Sequence, residues 1–135
     1  MVVDLCAPGY VQDPPVGTRI KGDPVRFFER EVAARLSDKA LDARSYNAVS
    51  FEVQVSGGSP SADITIESGP AEGGSYLLVM DPRGTQPGVT NSRIFDVLIG
   101  GAWVKVRLAN VTGAITVIGT PYVAPGPTSI MAVVS

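Results

Sequence analysis

From Ser45 onward, apolar and polar side chains alternate in a two-residue rhythm. In AVSFEVQVS, Val49, Phe51, Val53 and Val55 fall on one face and Ser50, Glu52 and Gln54 on the other, as in an antiparallel strand with one face buried. ADITIE resumes the rhythm, with Ala62, Ile64 and Ile66 opposite Asp63, Thr65 and Glu67. SGGSPS between them supplies turn chemistry, so the two runs read as a hairpin. After a second turn, SGPAEGG, the run SYLLVM is apolar throughout, which suits a strand buried on both faces or at an interface. DPRGTQPGVTN concentrates turn signals at Asp81-Pro82, Arg83-Gly84 and Pro87-Gly88 and reads as a long surface loop. RIFDVLI, AWVKVRL and AITVIGTPYV follow, joined at Gly100-Gly101 and at ANVTG. In WVKVRL, Val104, Val106 and Leu108 share one face and Trp103, Lys105 and Arg107 the other. About six strands between residues 48 and 123, at this spacing, predict an antiparallel sandwich.

Upstream the rhythm changes. DPVRFFEREVAARLSD offers Asp23 as a helix N-cap and Pro24 at the first helical position, with Val25, Phe28, Val32 and Leu36 on one face. This predicts a short amphipathic helix over 24–36. A strand reading stays open, because VAARL can also pair at a sheet edge. Residues 1–23 scatter Pro8, Pro14, Pro15, Gly9, Gly17 and Gly22 among isolated apolar residues and predict an extended arm. Val2, Val3, Leu5, Tyr10 and Val11 make that arm too apolar for a solvated tail. At the other end, Pro121, Pro125 and Pro127 precede an apolar run containing Ile130, Met131, Val133 and Val134, which no polar residue shields from pairing. The expected organisation is an N-terminal arm over 1–23, a β domain over 24–124 and a C-terminal extension over 125–135.

Composition narrows the chemistry. The 135 residues contain no histidine, which removes His-based nucleophile systems, His acid–base catalysis and the commonest transition-metal sites. Lys and Arg total 11 against 13 Asp and Glu, a net charge of -2, so the chain lacks the electrostatic footprint of a nucleic-acid binder. The single cysteine, Cys6, rules out an intrachain disulfide and has no histidine to activate it. No apolar run approaches the ~20 residues of a membrane-spanning helix, and Asp4 with no basic residue near it does not make a secretion signal. Synthesis and assembly in a cytoplasm are expected.

What chemistry remains is carboxylate chemistry, from Glu52, Asp63, Glu67, Glu72, Asp81 and Asp96. Glu52, Asp63 and Glu67 fall on predicted solvent faces, where solubility accounts for them. Asp81 and Asp96 lack the D-x-D-x-D-G spacing of a calcium loop. SGGSPS, EGGSY and IGGAW lack the phosphate-cradling spacings and join strand to strand, not strand to helix. Trp103 is the candidate for an alternative glycan site, a stacking platform flanked by the 81–91 loop. Filling a core or an interface is the plainer use of an indole.

The section LDARSYNAVSFEVQVSGGSPSADITIESGPAEGGSYLLV, residues 41–79, resembles small β-sandwich structural proteins of tailed bacteriophages. In those, a Y-N-x-x-x-F-x-V strand leads through a turn to an A-x-x-x-I-E-G-S-like strand, where this sequence reads IESGP. WVKVRLANVTGAITVIGTPYV is similar to the paired strands that close such domains. The resemblance implies an all-β, jelly-roll-like antiparallel sandwich in a virion. Its size and apolar ends are similar to capsid decoration, or cement, proteins, which hold neighbouring major capsid subunits together. It implies a closed homo-oligomer, a trimer first, with no catalytic residue, metal or cofactor. The contact residues would be Val2, Val3, Leu5, Tyr10 and Val11 in the arm and Ile130, Met131, Val133 and Val134 in the tail.

Overall fold

The computed structural model describes residues 20–125. The proposed arm and tail contacts, Val2 to Val11 and Ile130 to Val134, lie outside them, as does Cys6. The described chain is all-β and antiparallel. It contains β1 (Val25–Glu31), β2 (Leu41–Asp42), β3 (Ala48–Gly69), β4 (Leu77–Leu78), a 3-10 turn at Pro82–Gly84, β5 (Thr85–Val89), β6 (Arg93–Leu98) and β7 (Trp103–Tyr122).

Two long strands organise everything else. β3 has 22 residues and β7 has 20, and they pair antiparallel from Ala48↔Tyr122 to Gly69↔Trp103. The register slips between Ser56 and Asp63, where Gly57, Ser59, Asn110 and Gly113 all have positive φ. The slip changes which positions face inward. Val49, Phe51 and Val53 are buried before it and Ala62, Ile64 and Ile66 after it. In β7, Val104, Val106 and Leu108 give way to Ile115 and Val117. A β-bulge does this by adding a residue while keeping the same face inward.

This corrects the hairpin expected at SGGSPS. AVSFEVQVS and ADITIE do not pair with each other; they are the two halves of β3, and ANVTG likewise lies within β7.

The other strands line the outer edges of this ribbon. β1 pairs with the later half of β7 and β2 with its start. β6 pairs with the first half of β3, and β5 and β4 with its second half. All seven strands form one sheet. No α-helix covers it among the described residues, yet both halves of β3 and β7 contribute to one buried cluster. The two halves thus share one core. Gly84 sits against it: a methyl built there would run into Val79 and lie 3.6 Å from both Ile66 of β3 and Val97 of β6.

The helix expected over 24–36 is not formed. A helix with Val25, Phe28, Val32 and Leu36 inward would leave Phe27 in water. The irregular strand β1 buries Phe27 and Phe28 together, by register shifts on either side of Phe28. Phe27 then lies 6.0 Å from Phe51, which stacks 5.4 Å from Phe95. Leu36 bridges to Arg107, and the Ser37 N–H donates to the Val106 carbonyl at 2.8 Å. The segment is thus a strand, but over Val25–Glu31; VAARL itself supplies only the Leu36 bridge and the Arg35 carbonyl, which accepts the Leu108 N–H at 2.9 Å.

Candidate interaction surface

Of the apolar run SYLLVM, only Val79 packs against the core. Only Leu77 and Leu78 form a strand, at the end of the sheet, and both are open to solvent. Leu77 is 74% exposed, Leu78 56%, Met80 98% and Leu98, at the end of β6, 44%. Successive strand residues point to opposite faces, so two exposed neighbours mean that neither face of β4 is packed. The expected burial on both faces is corrected.

Hydrogen bonds hold this segment in place. The Val79 N–H donates to the Ile66 carbonyl at 3.1 Å, turning Val79 inward as its neighbours turn out. Asp81 then ties the segment to β6: its Oδ2 accepts the Leu98 N–H at 2.8 Å and Arg83 Nη2 at 2.9 Å. Burial alone would push the Asp81 carboxyl up, but its hydrogen bonds with Arg83 and Leu98 outweigh this and hold it at about 2. Leu78, Val79, Met80, Leu98, Ile99 and Ala102 consequently enclose an open groove of about 350 Å³, with Ser68 and Gly100 completing its wall.

Six charged groups pair off, while Lys105 lies 5.1 Å over the Tyr76 ring, next to Leu77. Asp81 pairs with Arg83, Asp42 with Arg44 at 2.8 Å, and Glu67 with Arg107 at 2.6 Å. Glu67, expected on a solvent face, is largely buried, and its bridge to Arg107 satisfies it there. Asp63 accepts the Gly88 N–H at 2.8 Å and Asn110 Nδ2 at 2.7 Å, which lower its pKa. Tyr122 donates to Asp96 at 2.9 Å, and Gln54 to Glu52 at 2.8 Å. Among the described residues, no three acidic or cysteine side chains gather as a metal site.

Trp103, the alternative glycan residue, is half-buried at the start of β7, with Asp42 and Gly69 as its register partners. The Arg44 guanidinium lies 4.9 Å over its ring. The 81–91 segment is no long loop but the 3-10 turn followed by β5, which pairs at Ala62–Thr65.

The chain enters and leaves this body side by side. The Val123 N–H donates to the Ile20 carbonyl at 2.9 Å, and Lys21 bridges to Tyr122. Asn47 fastens the exit: its Oδ1 accepts the Ala124 N–H at 2.7 Å, and its backbone carbonyl accepts the Ile99 N–H at 2.9 Å.

The fold has a solved counterpart. The chain is similar to the SPBc2 prophage-derived protein YomS, at 18% identity and a TM-score of 0.59, over 78% of this chain and 95% of that one. At that identity the likeness is one of fold. No family model matches the chain, and no curated protein does.

Proposed function

We propose that this chain is a noncatalytic structural protein of a bacteriophage particle, and specifically a capsid decoration protein that stabilises the head. It would act as a homo-oligomer bridging neighbouring major capsid subunits in the virion. The observation that carries this reading is the uncovered apolar face of Leu77, Leu78, Met80 and Leu98, held in place on the β-sheet. Monomeric soluble proteins seldom leave such groups together without a partner. Each Å² of apolar area covered contributes about 25 cal/mol, and a shell multiplies that over many copies. The fold shared with a prophage-derived protein supports the phage setting. The adjacent entry and exit at Ile20 and Val123 suit an arm and a tail that reach outward from one end.

Deleting residues 1–16 tests the clamp. The truncated protein should keep the β circular dichroism of the full chain and lose its co-sedimentation with phage heads. Undiminished co-sedimentation would refute the arm's role. The carbohydrate-binding reading, as a receptor-binding module of a phage tail, is less favoured because one face of Trp103 is taken by Arg44.

A further inference from the structure

We infer that residues 126–135 fold back over the groove beside Leu98, so that the free protein covers this apolar surface with its own chain. The inference goes beyond the capsid reading: it concerns the unattached protein, and a capsid subunit docking on this face would have to displace the segment first.

Position carries the argument. The described chain leaves the sheet at one wall of the groove. Asn47 Oδ1 accepts the Ala124 N–H at 2.7 Å, its Nδ2 donates to the Ala124 carbonyl at 3.2 Å, and its backbone carbonyl accepts the Ile99 N–H at 2.9 Å. A single asparagine thus stands between the exit and Ile99, which lines the groove with Leu78, Val79, Met80 and Leu98. Ala48, the next residue, is in register with Leu98 on one side and with Tyr122 on the other. From Pro125 to Ile130 the extended chain reaches up to about 17 Å, more than one intervening residue demands. Gly126-Pro127 supplies a turn signal at the start of that path.

Chemistry points the same way. No charged side chain lines the groove, and GPTSIMAVVS, residues 126–135, carries no charge either. A charged occupant would leave its ionised group desolvated and unpaired there. The groove volume of about 350 Å³ exceeds twice the ~150 Å³ that holds a benzene-sized group, so it has room for two of the side chains among Ile130, Met131, Val133 and Val134. A tethered segment acts on a nearby site at an effective concentration on the order of millimolar. In dilute solution it therefore occupies the groove ahead of the same segment from a second copy.

The test uses the full-length protein carrying 13C in its methionine methyl groups, with a water-soluble nitroxide as the probe. Met80 is 98% exposed on the described sheet, so its methyl signal reports whether anything covers the groove. The nitroxide should spare that signal in the parent. The protection should be lost in a variant lacking residues 126–135 and in the double variant Ile130→Asp, Val133→Asp, with the far-ultraviolet circular dichroism of all three alike. The double variant leaves the Asn47–Ala124 exit intact, which separates loss of the cover from damage at the point of truncation. Met80 broadening that is equal in the parent and both variants would overturn the inference. So would protection that fades on dilution, because another copy would then supply the cover. A protected Met80 in a protein that does not co-sediment with heads would count against the decoration role and leave this contact standing.

Discussion

Asp81 has four donors around one short carboxylate: the Arg83 N–H, Nε and Nη2, and the Leu98 N–H. Its side chain is 8% exposed, so solvent can do little to replace them. With a folded pKa of about 2 against an ordinary 3.8, it contributes about 2 kcal/mol. The folded pKa is the lower one. That contribution is therefore complete above the unfolded value and disappears as pH falls through about 2. Asp81→Asn should lower the unfolding free energy by about 2 kcal/mol at pH 7 in urea titrations, and the gap from the parent should narrow as pH drops below about 4. A gap independent of pH would assign the effect to shape, not charge. Asp42 is also held at about 2 by its hydrogen bonds with Arg44, but those two side chains are 45% and 59% exposed, and a solvent-screened pair should matter little to stability. The larger contribution, from Arg83, is local to DPRGTQPG, but the Leu98 donor was not legible there because it lies 17 residues away.

At the level of strands, the bend in the β3–β7 ribbon depends on backbone conformations that few residues tolerate. Gly113 has φ 80, and a methyl there would lie 2.6 Å from the Ser56 carbonyl oxygen and 3.0 Å from Pro60. Gly113→Ala should cost about 1–3 kcal/mol in chemical denaturation. Gly58→Ala, where a methyl meets nothing within 4 Å, should stay within about 0.5 kcal/mol of the parent. Equal effects at the two sites would show that the bend does not rest on Gly113. Gly, Ser and Pro serve equally at a hairpin turn and at a bulge within a strand. SGGSPS therefore announces a change of direction but not which strand pairs next. β1 posed a similar ambiguity: Asp23-Pro24 is a sound helix start, yet β7 offers a ladder from Ile115 to Gly119 that a strand can fill. Long-range pairing overrides the local signal, and only the fold brings that ladder within reach.

Taken as a body, residues 20–125 bury one continuous core, and both ends of that segment hydrogen-bond to each other. Expressed alone, this segment should therefore unfold in one cooperative step, with Trp103 fluorescence and far-ultraviolet circular dichroism tracing the same urea transition. Non-coincident curves would mean that the two halves of the sheet are separable units.

Much was readable from alternation alone. Val49, Phe51, Val53, Ala62, Ile64, Ile66, Val104, Val106 and Leu108 all lie inward as their spacing predicts, because a period of two is a local property of the strand backbone and needs no knowledge of its partner. The all-β class follows from the same signal. Pairing is different in kind. That β3 is one strand and not a hairpin, that β1 is a strand at all, and that Leu77, Leu78 and Met80 stay in water depend on hydrogen bonds and packing between residues far apart in the chain. An apolar run such as SYLLVM looks the same whether its cover is its own core or another molecule. Only the tertiary packing, which takes Val79 inward and leaves Leu77, Leu78 and Met80 exposed, turns it into a surface.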